Sequence, residues 1–227
     1  MKFVNIVLYS ESPKKEYQKE MKELTSFYYK RFGDKVKTLY VKYNERDGDK
    51  KIEHINGDEL SISGKESYIP GILSKTLDAF DYVSENYEYD YCIRTNISTI
   101  VNFDVLEQEL IQNPINHYGG GASMVLNWKA LGMEDERWFG TVFVQGTSII
   151  LSRNAIKIMC AQKDKFHYEF VDDVAIAIFA KEHLKSSYPP QMINGGMFLD
   201  VPHCIENGKH NIDILKPILS NKNIAFY

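Results

Sequence analysis

The first hundred residues alternate between two hydrophobic periods, and a chain that does so has few folds open to it. Residues 2–9 (KFVNIVLY) form a near-continuous apolar, β-branched run, the pattern of a strand buried on both faces. Tyr17, Met21, Leu24, Tyr28 and Phe32 then recur every three or four residues, which is one stripe of an amphipathic helix. Ser12-Pro13 ahead of the stripe supplies an N-cap and a first-turn proline, and Gly33 ends it. A second strand, VKTLYVKY (36–43), leads into a charged turn at 44–51. A short edge segment near 52–56 and a polar stretch with Gly57 and Gly64 follow. Residues 70–87 form a helix on Leu73, Leu77, Phe80 and Val83, and YDYCIRTN to residue 96 is an apolar strand with a polar end. This alternation specifies the α/β class with a mainly parallel central sheet flanked by helices.

The second half is less regular. Residues 104–112 carry Val105, Leu106, Leu110 and Ile111 on a short amphipathic helix. Strands are expected around ASMVLNW and TSIILS, and Ser152 caps a helix running to about residue 162. DDVAIAIFAKEHL (172–184) opens with two acids and is then apolar on nearly every face, so it is read as a buried helix. From Pro189 the tail mixes short strands with loops. No linker, repeat or low-complexity segment interrupts the chain, and residues 1–227 are read as a single domain.

Composition limits the partners. With 27 basic and 31 acidic residues the net charge is −4, without the basic excess of a nucleic-acid binder. Fifteen tyrosines and twelve phenylalanines suit an aromatic core, and some of them suit stacking on a sugar or base. Cys92, Cys160 and Cys204 are odd in number, far apart and outside any CxxC, which argues against a disulfide framework and for a reducing compartment. The N-terminal MKFVNIVLYSES has no small-residue cleavage site, and no window approaches 18 apolar residues. A soluble protein, cytoplasmic or otherwise intracellular and without an integral membrane segment, is the expectation.

Ligands of open α/β sheets bind outside the carboxyl ends of the strands. Two such ends are polar here: Arg94-Thr95-Asn96-Ile97-Ser98-Thr99, and the loop into Asp172-Asp173. Either could be structural, the first as a turn and the acids as first-turn caps on the helix dipole. An acid at the mouth of a buried helix equally suits a general base. HYGGGAS (117–123) matches neither GxGxxG nor a P-loop and reads as a flexible loop, while Gly195 and Gly196 suit close approach of a sugar to the backbone. The six histidines show no HxxxH spacing, and no GxSxG is present.

Four segments in order carry a resemblance: ESYIPGILSKTLDAFDYV, EYDYCIRTNISTIVNFDVLEQEL, FVQGTSIILSRNAIKIM and FVDDVAIAIFAKEHL. Together they resemble glycosyltransferase family 31, the β-1,3-galactosyl- and N-acetylglucosaminyltransferases and Fringe proteins. The matching residues are Ser67, Tyr68, Lys75 and Thr76; Tyr89, Asp90, Thr95, Val101 and Asn102; Gly146, Leu151, Ser152 and Arg153; and Asp173 and Val174. The match spans about residues 65–185.

The resemblance implies a single GT-A (Rossmann-like) domain that transfers a hexose, with inversion, from a nucleotide-sugar donor, UDP-linked by preference. The acceptor is a hydroxyl of a glycan or another molecule. It implies Asp173 as the base, with Asp172 capping the helix or assisting. The donor contacts expected are Tyr9, Lys75, Arg94, Thr95, Asn96, Ser98, Gly146, Gly195 and Gly196. Where the family carries three acids that hold a divalent cation, this chain has Asn96-Ile97-Ser98. Neutral oxygens are poorer ligands for Mg²⁺ or Mn²⁺, and three readings stay open. Catalysis is metal-independent, with Lys75, Arg94 or Lys209 neutralising the diphosphate; or a metal binds through Ser98, Asn96 and a late histidine, His203 or His210; or the chain is a non-catalytic nucleotide-sugar or glycan-binding module. The lack of a Golgi-anchoring helix implies a soluble bacterial, viral or domain-like version.

Overall fold

The computed structural model describes residues 1–11, 16–44, 52–55, 57–131, 133–200 and 219; the side chains of Glu16, residues 52–55 and Asp200 fall outside that description. The expected N-cap at Ser12-Pro13 and most of the 44–51 turn lie outside the described residues.

The first strand, β1 (Phe3–Leu8), is buried along its whole length, and its side chains divide by parity. Val4, Ile6 and Leu8 enter one hydrophobic core, while Phe3 and Val7 enter the other. That division explains the unbroken apolar run: a central strand of a three-layer protein needs a hydrophobe in both directions. β2 (Val36–Asn44) and β5 (Tyr91–Asn96) flank it, both parallel, with Phe3 opposite Val36 and Tyr91. Beyond β2 lie β4 (Glu59–Ser63), parallel, and β3 (Ile52–Ile55), antiparallel, at the edge. Beyond β5 come β10 (Ile149–Ser152), antiparallel, then β7 (Tyr118–Gly120) and β11 (Gln191–Met192). The eight-stranded order is therefore β11-β7-β10-β5-β1-β2-β4-β3. Two small antiparallel ribbons complete the described strands: β6 (Thr99–Val101) with β12 (Phe198–Asp200), and β8 (Ser123–Val125) with β9 (Val142–Val144).

The helices cover both faces. α1 (Glu16–Tyr29) and α3 (Phe103–Gln112) pack on the Phe3/Val7 side, and α2 (Gly71–Asn86), α4 (Arg153–Ala161) and α5 (Asp172–His183) on the Val4/Ile6 side. The path from β1 to β2 steps one way along the sheet and the path from β4 to β5 steps the other. Right-handed crossovers then place α1 and α2 on opposite faces, as observed. Gly33 adopts φ 54°, the left-handed conformation that lets the chain leave α1 for β2. Ser152 accepts from Ala155 N at 3.2 Å, the cap expected for α4. α5 is buried from Val174 through Ala180, so its all-round hydrophobicity matches its place packed against β9 and α2.

One expectation needs correcting. HYGGGAS is not a flexible loop: its Tyr118, Gly119 and Gly120 build β7, inside the main sheet. A Cβ on Gly119 would fall on the Gln191 carbonyl oxygen and one on Gly120 on the Ser148 carbonyl oxygen, so neighbouring backbones occupy the space side chains would need. Gly119→Ala is expected to cost about 1–3 kcal/mol, as overpacking does, read as a lower urea midpoint at unchanged slope. The strand expected around ASMVLNW is β8, exposed and paired with β9 outside the main sheet.

Candidate active site

The strand order reverses between β1 and β5, because the chain builds outward through β2 and β4 and then returns to the other side of β1. Leu8 and Asn96 are register partners at the carboxyl ends of these strands. Their exits diverge, and a crevice at such a switch point is where open α/β sheets hold ligands. A cavity of about 580 Å³ opens there, within the usual range for small-molecule sites. Tyr9 and Glu11 line it from the β1 exit, Tyr17 and Gln18 from α1, Glu66, Tyr68 and Lys75 from the approach to α2 and its second turn, and Arg94, Asn96 and Ser98 from the β5–β6 corner.

One wall is built around Lys75. Its side chain is 3% exposed, and Nζ donates to the Tyr9 carbonyl at 2.9 Å and to both Glu66 carboxylate oxygens at 2.7 and 2.9 Å. Glu66 Oε1 also accepts from the backbone N–H of Tyr43 at 3.0 Å. Nearby, the Tyr9 hydroxyl donates to Glu59 at 2.5 Å, and Glu59 also takes Lys22 and, at 2.9 Å, Lys42. Burial and Glu59 push the Tyr9 hydroxyl far above its usual range, so it remains a donor. Burial alone would raise Glu59, but Lys22, Lys42 and the Tyr9 hydroxyl outweigh it and hold the carboxyl at about 2. A depressed carboxyl stabilises the fold above its unfolded value, 4.5, and that contribution disappears as pH falls through 2. Chemical unfolding between pH 5 and 2 is expected to show this loss in the native protein, and Glu59→Gln is expected to remove that part of the acid sensitivity.

The opposite wall gathers three segments distant in sequence. Arg94 is 2% exposed, and its Nη2 meets Asp172 Oδ2 at 2.5 Å. Nη1 donates to Asn96 Oδ1 at 3.0 Å and to the Gly146 carbonyl. A Cβ on Gly146 would collide with this guanidinium, so glycine is required for Arg94 to lie where it does. Arg94 Nε is buried without a hydrogen-bond partner among the described residues. Asp172 Oδ2 also lies 3.5 Å from Thr76 Oγ1. The expectation that Asp172 caps the helix is corrected: Val171 holds the N-cap position, and the Asp172 carboxylate turns to Arg94, a stronger charged partner.

Asp173 follows in the first turn of α5. Its Oδ1 accepts from Val174 N at 2.9 Å and Oδ2 from Gly146 N at 3.3 Å. Burial raises its pKa from 3.8 to about 6, the adjacent Asp172 charge adds to the rise, and Arg94 and the two N–H groups oppose it. A carboxyl that loses its proton near neutrality is suited to general-base work. Tyr68, 54% exposed, lines the cavity close enough to Asp173 and Asp172 that, after burial, their charges raise its hydroxyl pKa.

Of the residues singled out in the sequence, Tyr9, Lys75, Arg94, Asn96 and Ser98 line the cavity; Gly146 and Asp172 lie outside the lining and contact Arg94, and Asp173, also outside it, joins them through the Gly146 N–H. Thr95 does not line it: strand alternation sends it to the opposite face from Arg94 and Asn96, buried. Gly195 and Gly196 lie on a 3-10 turn, Gly195 packed against Gly121, and do not line the cavity either. Cys92 and Cys160 are free thiols, raised by burial to well above neutrality, and take no part. His203, His210, Lys209 and Cys204 lie outside the described residues. Sequence reasoning missed Glu66 and Glu59. No helical or strand spacing links Glu66 to Lys75, and only the tertiary fold joins them.

A divalent cation does not fit the described donor set. No cluster of three His, Cys, Asp or Glu side chains that could hold a metal occurs among the described residues. The β5–β6 corner offers an amide oxygen and a hydroxyl, and the amide oxygen already accepts from a guanidinium. Hard cations are ordinarily held by at least one carboxylate, and this corner offers none.

The fold is thus an open, mainly parallel α/β sheet with a ligand-sized cavity at its switch point, lined by Lys75 and Arg94, each paired with a carboxylate. No protein-family model matches the chain, and no curated protein matches it. Among solved structures, a glycosyltransferase involved in the glycosylation of the major capsid of PBCV-1 is similar, at 13% identity over 84% of this chain and 80% of that one, with a TM-score of 0.43. The catalytic domain of Drosophila β1,4-galactosyltransferase 7 with xylobiose gives 11% identity over 99% and 82%, with a TM-score of 0.46. The inositol-1-phosphate CTP transferase from T. maritima gives 13% over 98% and 97%, with a TM-score of 0.48. No helix among the described residues is long and apolar enough to cross a membrane.

Proposed function

We propose that this protein is a glycosyltransferase of GT-A type that moves a hexose from a nucleotide-sugar, UDP-linked by preference, to a hydroxyl of a glycan or similar acceptor with inversion. The observation that carries the reading is Asp173: a carboxyl with a pKa near 6, fixed at the mouth of a buried helix on the N–H of Gly146, whose carbonyl holds the Arg94 that lines a switch-point cavity. The family resemblance supports it, since its motif residues Gly146 and Asp173 meet in space. In the reaction, the acceptor oxygen forms a bond to the anomeric carbon while the bond from that carbon to the nucleoside diphosphate breaks. The leaving oxygen keeps the electron pair, and Asp173 takes the acceptor proton. Asp172, fixed on Arg94, keeps that guanidinium in place and is not free to act as the base. The aromatic rings of Tyr9, Tyr17 and Tyr68 supply faces on which a base or sugar can stack.

A second reading has its own observation. Among the described residues both cavity cations, Lys75 and Arg94, are already paired with carboxylates and so are less free to neutralise a departing diphosphate, as suits a non-catalytic nucleotide-sugar- or glycan-binding module. A thermal-shift panel of UDP, GDP and TDP, with release of free sugar from the matching donors, separates the two. Stabilisation by one nucleotide with slow donor hydrolysis is expected for the transferase. Stabilisation without any turnover would favour the module.

A further inference from the structure

Resting on the transferase reading, we propose that the ligand's diphosphate is bound by the protein's own guanidinium, Arg94, in a metal-independent site. The donor set at the β5–β6 corner argues against a cation there. Its one amide oxygen is occupied by Arg94 Nη1, and a positive charge 3.0 Å from that oxygen repels a second one. The same side chain supplies what a cation would. Arg94 is almost wholly buried, lines the cavity, and retains an Nε–H with no acceptor among the described residues. A buried donor left unpaired costs free energy that a ligand oxygen would recover.

Three contacts hold the guanidinium before any ligand arrives: Asp172, Asn96 Oδ1 and the Gly146 carbonyl. Such fixing lowers the cost of ordering on binding, and the planar fork suits phosphate oxygens better than a lysine does. Gly146 therefore has a binding role although it does not line the cavity, because any side chain there would displace Arg94. Lys75 is the second cation of the site. Its partner Glu66 has a side chain 31% exposed, so this carboxylate, rather than buried Asp172, is the one able to yield to an incoming anion.

The test is calorimetric titration of UDP into the full chain in EDTA and again with Mn²⁺. Affinities within about threefold of each other are expected. Replacing Arg94 alone leaves Asp172 unpaired, so the binding variant is Arg94→Met with Asp172→Asn, checked for native melting. Its affinity is expected to fall about 10- to 100-fold, the range for a lost charged hydrogen bond. Gly146→Ala, which leaves every charge in place, is expected to weaken binding in the same direction, and Glu66→Gln to strengthen it. Binding that requires Mn²⁺ would overturn the proposal, as would metal-free binding indifferent to the Arg94 variant. If UDP, GDP and TDP all fail to bind with or without metal, the transferase reading itself falls.

Discussion

Asp173→Asn is expected to lower sugar transfer by about 10²–10⁴-fold, the usual contribution of a positioned general base, while leaving the protein folded and no less stable at pH 7. The two halves of that outcome have one cause. Burial and the neighbouring Asp172 charge disfavour the ionised form, so the folded protein holds the Asp173 proton up to about pH 6, whereas a free carboxyl releases it near 3.8. A raised carboxyl adds stability at low pH, and that contribution is lost as pH rises through the folded value. At pH 7 the native protein therefore carries an ionised group in an environment that resists it, and asparagine, which cannot ionise, relieves the cost. Activity runs the other way, because only the ionised form accepts a proton. The rate of the native enzyme should rise with pH along a limb centred near 6, and melting temperature should fall over the same interval. Turnover and melting curves of both proteins from pH 5 to 8 check this. An Asp173→Asn protein that transfers sugar at the native rate would remove Asp173 from the mechanism.

Arg94→Leu is expected to destabilise the fold by about 3–5 kcal/mol, the cost of leaving a buried charge without its partner. Asp172 and Arg94 have side chains 9% and 3% exposed, so water does little to replace the lost contact. Adding Asp172→Asn removes the stranded charge and should restore most of the loss, and a double-mutant cycle read by urea unfolding measures the coupling. Arg94→Lys is expected to rescue only part of it. One ammonium cannot hold Asp172, Asn96 Oδ1 and the Gly146 carbonyl with the spacing of a guanidinium fork. Equal stability of Arg94→Leu and the double variant would mean that the stranded Asp172 charge is not what destabilises the single variant.

Much of the scaffold is legible in the sequence because it rests on periodicity. The two-sided run of β1, the Tyr17–Phe32 stripe and the buried α5 each show their burial pattern directly, and the structure places them as that pattern requires. The misreadings share a different origin. HYGGGAS looks like a loop because glycine has poor strand propensity, yet β7 needs glycine where the backbones of β10 and β11 come close. ELSIS looks polar, but its Glu59 is a buried acid held by Lys22, Lys42 and Tyr9, none of them near it in sequence. The site follows the same division. Arg94, Asn96 and Ser98 are visible as a polar end on an apolar strand, and Asp172 and Asp173 as acids opening a buried helix. That Asp172 binds Arg94, that Gly146 makes room for it, and that Glu66 occupies Lys75 are tertiary facts with no short-range signal.

The most direct measurement is product analysis with UDP-sugar donors, a panel of hydroxyl acceptors, and NMR of the anomeric proton in whatever glycoside forms. The account predicts nucleoside diphosphate and glycoside in equal amounts, with anomeric configuration opposite to that of the donor, and loss of both products in Asp173→Asn. A native protein that binds the nucleotide and transfers nothing from any UDP-, GDP- or TDP-sugar would contradict it, as would a product that retains the donor's configuration.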